Sequence, residues 1–404
     1  MISDENGWRY IVIQTKENIY STVEELRDLI IQVNDYIHDN PELGHQEFKA
    51  VELLTSTLTN NGFQVEKGVA GLPTAFTATY QNKQGGPVIG LLCEYDALEG
   101  LGHACGHNLQ ASSITGAAIA LRNNLGDLPA TIIVYGTPAE ETTSGKVPMA
   151  EAGLFDCLDV ALMMHGGDRT TVDGKSLAIN SVEFVFEGKA SHAAVAPEQG
   201  ISALDAVLLT FNGIEYLREH VRADVKIHGI ITDGGTAPNI VPERAEAKFL
   251  IRAADRAYLD TVVERVYNVA RGAALAVGAK LTIHEGKALD NKLNVQRLND
   301  LLLDNARQAG AREITPPRQS TGSTDFSTVT HRVPGACLRV SFVPFGVSNH
   351  TRAWVEAGNS EDGHAAIIAA AKAIAGTSYD LITQPDVLKE IQKEFLVAKG
   401  SRLP

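Results

Sequence analysis

The stretch PVIGLLCEYDALEGLGHACGHN (87–108) opens on an apolar run and ends on three hydrogen-bonding heads, His103, Cys105 and His107, spaced by single residues. The run from Val88 to Cys93 is too short for a typical helix and shows no polar alternation. That is the pattern of a strand buried on both faces. The same texture returns in ATIIVYGTPAEE (130–141) and DVALMMHGGD (159–168). Between the first two lies SSITGAAIALRNNLG (112–126), of helical length and rich in small residues, and GKVPMAEAGLF (145–155) separates the second from the third. Apolar strands alternating with helices predict an α/β fold, a mostly parallel sheet with helices on both faces.

Upstream, STVEELRDLIIQVNDYIHDNPELG (21–44) reads as one amphipathic helix stopped by Pro41 and Gly44. FKAVELLTSTLTNNG (48–62) reads as a second, ending in an Asn-Asn-Gly cap. Near residue 180 the texture changes. NSVEFVFEGKASHAA (180–194) alternates apolar and polar residues, and a helix (203–220), two strands (225–235 and 243–254), a long helix (257–278) and a strand (279–286) follow. This βαββαβ order predicts a smaller inserted α+β domain. From 292 the chain reads as helix, loop, strand (GACLRVSFVPF, 335–345) and helix, a return to the first domain. The expected organisation is therefore 1–179 with 292–404 as one domain and 180–291 as the other.

Composition limits the partners. With a formal charge of −14 the chain lacks the basic surplus that nucleic acid or an anionic membrane would require. Four cysteines in 404 residues form no disulfide framework and suit a reducing compartment. The N-terminus carries Asp4 and Glu5, and its apolar run is too short for a signal sequence. No stretch reads as the ~20 apolar residues of a membrane span. A cytoplasmic protein is expected.

The chemistry collects at the strand ends. The first strand runs into Glu94 and Asp96, the second into Glu140 and Glu141, and the third into His165. In open parallel sheets ligands bind outside the carboxyl ends of the strands. Cys105 and His107 in an extended segment would point the same way, and a helix starting near Asn108 would favour the thiolate of Cys105. With Glu141, His165 and His350 they make a mixed sulfur, nitrogen and oxygen set suited to Zn²⁺, with Mn²⁺, Ni²⁺ or Co²⁺ as alternatives. A single polar residue at a strand end is ordinarily a solvated loop group, and His38 and His284 read as surface histidines. An apolar rim has no structural reason to gather Cys, His, Glu, Glu and His together. The Glu140-Glu141 doublet suggests one carboxylate on metal and one free to take a proton from water.

These residues sit within motifs that resemble the M20 metallopeptidase/amidohydrolase family. HDNPELGHQEF, EYDALEGLGHACGHN, GTPAEE, MHGGD, GKASHAA, APNIVP, GSTDFS and SNHTRAW occur in its order, covering roughly 35–365. They are most similar to its aminoacylase-like branch, which includes N-acyl-amino-acid and aminobenzoyl-glutamate amidohydrolases and some dipeptidases. The resemblance implies one or two divalent ions held by Cys105, His107, Glu141, His165 and His350, with Cys105 where other branches carry a bridging aspartate. It implies that Glu140 activates a metal-bound water and that His192 stabilises the oxyanion. It further implies that Asn239 and Arg252 hold the substrate, Asp96 orients a ligand, and the inserted domain serves as lid and homodimer surface. A small amide or dipeptide would be the substrate. Two departures stand out: EYD replaces Asp-x-Asp, leaving Glu94 without a role, and Thr324 replaces a glutamate, which points away from a simple N-acetyl substrate. Two alternatives stay open. Cys105 could be a nucleophile with His107 as its base, or the chain could be a non-catalytic, metal-dependent binding relative.

Overall fold

A computed structural model of the chain describes residues 2–3, 9–10, 15–172, 174–317 and 322–400. Asp4 and Glu5, on which the reading of the N-terminus rests, lie outside the described residues. The chain divides into two compact units. The larger runs to Gly174, resumes at Leu293 and again at Thr328. The smaller runs Lys175–Lys292 and takes in 322–327, which sequence had grouped with the larger. The first crossing precedes the expected 179–180 because the smaller unit's first strand already begins at Ala178.

The main sheet of the larger unit is built from β1 (Gln64–Lys67), β2 (Phe76–Asn82), β3 (Val88–Cys93), β4 (Ala130–Gly136), β5 (Val160–Gly167) and β6 (Thr171–Val172). The smaller unit supplies β7 (Ala178–Glu187), β8 (Lys226–Asp233), β9 (Arg244–Ala253) and β10 (Lys280–Leu289), and the chain returns with β11 (Gly335–Ser341). The larger sheet runs β1-β2-β4-β3-β5-β11-β6. Its central neighbours β4, β3, β5 and β11 are parallel. Its margins are antiparallel, β2 on β4, β1 on β2 and β6 on β11. The α/β class is borne out. The antiparallel margin was missed because β1 is mostly exposed, β2 is half-buried and both carry polar residues, so they lack the apolar run that marks β3 to β5.

Parallel strands need crossovers, and the helix His107–Asn123 makes the one from β3 to β4. Its alanines, serines and glycine are buried on nearly every side, among the helices Arg27–Asp39 and Glu361–Thr383 and strand β5. Small residues permit that closeness. A Cβ on Gly116 would lie 2.4 Å from Ile30 Cδ1. The single helix expected over 21–44 is two, Lys16–Glu25 and Arg27–Asp39, broken at Leu26 (φ −87°, ψ 1°). The helix Glu361–Thr383 is long and apolar enough by composition to cross a membrane, contrary to the sequence reading. Its burial among the other helices gives the apolar surface a core to fill.

In the smaller unit the order is β8-β9-β7-β10, all antiparallel. The helices Ala203–Arg218 and Arg256–Val277 cover it through Phe184, Phe186, Phe249 and Ile251. Alternation on β9, one residue buried and the next exposed or partly so, is what a sheet with one covered face requires.

Gly116→Val should overpack against Ile30 and cost ~1–3 kcal/mol, lowering the urea midpoint. Adding Ile30→Ala should recover part of the loss. An unchanged midpoint in the single variant would show that this contact is not close.

Candidate metal centre

The ends of β3 and β4 lie in register, Cys93 opposite Gly136, so the residues that follow each strand emerge side by side. After β4 the chain makes a tight turn through Ala139, which holds the left-handed conformation (φ +58°). The Ser144 N–H closes it onto Ala139 O at 2.8 Å. Glu140 and Glu141 project from this turn. After β3 the chain passes Glu94 and Asp96 and reaches the His-Ala-Cys-Gly-His run.

Cys105 and His107 are brought together differently from the extended segment expected. Gly106 is left-handed (φ +79°) and caps the helix, whose first residue is His107. A side chain at 106 would be strained, which explains the glycine. His107 Nδ1 lies 2.9 Å from Asp96 O and 3.0 Å from Asp96 Oδ1, so that nitrogen donates. Its Nε2 is 3.2 Å from Glu94 Oε2 but out of hydrogen-bond alignment, a buried polar atom without a partner. His165 Nδ1 donates to Gly166 O at 2.8 Å, which turns its Nε2 to Cys105 Sγ at 3.4 Å. His350 (φ +60°) donates its backbone N–H to Ala104 O at 2.9 Å, and its Nε2 lies 3.1 Å from Glu141 Oε1.

Donor atoms of Cys105, His107 and His165 lie within 4.8 Å of one another, as do those of Cys105, Glu141 and His350 and those of His107, Glu140 and Glu141. The structure thus gathers all five expected ligands and Glu140, with Cys105 shared between two of the groups. The orphaned Nε2 of His107 and the mixed donor set both fit a divalent cation. Asp96 does more than orient His107: its other oxygen, Oδ2, accepts the Glu141 N–H at 3.0 Å.

Charge at the site is finely divided. Burial would raise the Glu94 pKa, but Lys146 and then His107 pull it down to about 2. Lys146, fully buried, donates to Glu94 Oε1, and Gln110 donates to Oε2 at 2.9 Å. Sequence left Glu94 unassigned and passed over Lys146, since only the fold buries that lysine. Burial would also lower the His107 pKa, but Cys105, Asp96 and Glu94 push it well above its ordinary value. The expected thiolate of Cys105 is not favoured by the protein alone: burial pushes the thiol up to about 12. His103 is buried with neither ring nitrogen hydrogen-bonded. His38 is half-buried rather than a free surface histidine, and its Nε2 donates to Val355 O at 2.8 Å.

In the smaller unit, GKASHAA and APNIVP are stitched together. Val241 N–H donates to Ser191 O at 2.9 Å and Ala193 N–H to Asn239 O at 3.0 Å. His192 and Asn239 are both exposed there. Ala194 N–H donates to His192 Nδ1 at 3.2 Å, so the neutral ring carries its proton on Nε2. Arg252 lies on β9, its Nε buried without a hydrogen-bond partner.

Comparison with known proteins identifies the family to which the chain is similar. The model of "Peptidase family M20/M25/M40" matches residues 90–376. The Xaa-Arg dipeptidase of Mus musculus is 34% identical over 402 residues, covering 94% of this chain and 92% of that protein. A p-aminobenzoyl-glutamate hydrolase chain of Escherichia coli K12 is 31% identical, covering 93% and 94%. Among solved structures, a Bacillus subtilis protein described as a dinuclear metal binding peptidase from the M20 family superposes with a TM-score of 0.69 at 20% identity, covering 88% of this chain and 99% of that one.

Stripped of metal and then titrated with Zn²⁺ or Mn²⁺, the protein should gain thermal stability, ~2.7 kcal/mol at a hundredfold excess over Kd. His107→Ala and Cys105→Ser should each reduce both the gain and the metal found by elemental analysis. A full metal complement in both variants would remove these residues from the site.

Proposed function

Because this chain belongs to peptidase family M20/M25/M40 and is a peptidase or amidohydrolase of that family, we propose that it is a metal-dependent hydrolase of small amides, dipeptides foremost. The observation that carries the reading is the convergence of Cys105, His107, Glu141, His165 and His350 with Glu140 on one sheet rim. A divalent ion there supplies Lewis acidity, polarising the amide carbonyl and lowering the pKa of water at the site. Glu140 takes the proton of the attacking water and returns it to the leaving amine. His192, with its proton on Nε2, is assigned the oxyanion. Asn239 and Arg252 are assigned the substrate, Arg252 pairing with its carboxylate. Asp96 keeps His107 in the tautomer that offers Nε2 as donor.

The resemblance to a dipeptidase over nearly the whole length supports dipeptides, and those ending in arginine head the substrate screen. Similarity to the aminobenzoyl-glutamate hydrolase, together with Thr324, supports aminobenzoyl-glutamate as the second class. On this reading the larger unit is catalytic, the smaller is lid and homodimer surface, and one or two ions of Zn²⁺ or Mn²⁺ are bound. Four cysteines, none of them in a disulfide, support a reducing, cytoplasmic setting.

The alternative of a Cys105 nucleophile is weakened by the same burial that pushes the thiol up to about 12, since a protonated thiol attacks poorly at neutral pH. Chelation separates the two, because a thiol hydrolase would survive it and be lost to iodoacetamide.

Glu140→Gln should keep its metal and lose ~10²–10⁴-fold in kcat on the best dipeptide substrate. Near-normal turnover would sink the mechanism, and specific binding without turnover in the wild type would favour a binding protein. His192→Ala should lower kcat by ~10²–10³-fold.

A further inference from the structure

HDNPELGHQEF (38–48) is the motif that the reaction leaves without a task, and its residues pack on the turn that carries Glu140. Gly44 lies so close that a Cβ there would be 2.9 Å from Ala139 Cβ and 2.6 Å from Thr142 Oγ1. His45 Nε2 hydrogen-bonds Thr143 Oγ1. Glu47, with no exposed surface, accepts the Ala139 N–H on Oε1 at 2.9 Å.

A carboxylate at residue 47 would ordinarily serve the helix it precedes, Phe48–Asn60. It does not. The amides of that helix are taken by Glu42, which accepts Lys49 N–H at 2.8 Å and Ala50 N–H at 3.1 Å, and Glu47 makes no capping bond. The buried acid is therefore committed to the turn, at the residue in the left-handed conformation. For alanine that conformation is costly and persists only where the surroundings enforce it. Two residues on, the Glu141 N–H is held by Asp96. Buried carboxylates from two separate segments thus pin the amides on either side of Glu140.

We propose that Glu47 is a positioning residue for the reaction: its bond to the Ala139 amide sets the left-handed turn and so aims the Glu140 carboxylate. In this role Glu47 acts through the backbone of the turn rather than on the reacting atoms. The inference rests on Glu140 being the base, so Glu140→Gln is assayed alongside.

Removing the acceptor by Glu47→Ala should lower kcat by ~10²-fold, the scale of a small misplacement of a reacting group, with KM and metal content unchanged. Glu47→Gln keeps an acceptor oxygen and should retain most of the activity. Glycine adopts the left-handed conformation without strain, so Ala139→Gly added to Glu47→Ala should restore part of kcat. Should Glu47→Ala fail to fold, Glu47→Met fills the space without an acceptor and carries the same test. Wild-type kcat in Glu47→Ala or Glu47→Met would overturn the proposal, as would a loss in Glu47→Gln as large as in the acceptor-less variant or a loss that tracks metal. If Glu140→Gln is also active, the base assignment has failed; if Glu140→Gln is dead while the Glu47 variants are not, only the positioning role has.

Discussion

The site depends on one buried carboxylate. Asp96 accepts from His107 Nδ1 with one oxygen and from the Glu141 N–H with the other, while its own backbone carbonyl also faces His107. It therefore ties together the end of β3, the start of the helix His107–Asn123 and the turn after β4. Burial alone would raise its pKa, but the charge and hydrogen bond of His107 and the Glu141 amide hold it below the usual carboxylate range. An acid so placed stays ionised because each of its oxygens has been given a donor. Sequence expected Asp96 to orient a ligand without saying which, and did not foresee the contact with the amide at 141, since no spacing rule relates the two.

What was legible in the sequence follows the strength of the local signal. The buried parallel strands β3, β4 and β5 announce themselves as uninterrupted apolar runs, and their ends carry the polar residues that the fold gathers. The break at Leu26 is invisible because the apolar spacing continues across it, and only packing requires the bend. The turn at Gly106 is open to sequence reading, because a glycine between two metal-binding residue types can take the left-handed conformation that brings them together. The helix Glu361–Thr383 was passed over as a long apolar stretch, and its alanines and isoleucines fill the core.

Lys146 was the least legible of the residues that matter. Within GKVPMAEAGLF it is an ordinary lysine at the start of a short helix, yet it is fully buried against Glu94. A buried pair of this kind is weak evidence for stability, since desolvation offsets most of the attraction. Its consequence is positional. Lys146 and Gln110 occupy the two oxygens of Glu94, which fixes an anion 3.2 Å from the one His107 nitrogen left without a hydrogen bond.

The thiol of Cys105 tests the whole reading. In a pocket that also holds Glu140 and Glu141, burial and those neighbouring anions all oppose a thiolate, while His107 alone favours it. Left to the protein the sulfur stays protonated, and as a nucleophile it is badly sited. A divalent cation bound there would reverse this, because a coordinated thiol is deprotonated outright and the surrounding carboxylates would then face a positive charge instead of one another. The features that disable Cys105 as an attacking group (depth, acid neighbours, contact with His165) are the ones that suit it to holding an ion. The same holds for the strain at Ala139 and His350, both left-handed and both on segments that deliver donor groups to the rim. At these two positions a costly conformation serves to bring side chains together, and the bonds to Glu47 and Ala104 hold it there.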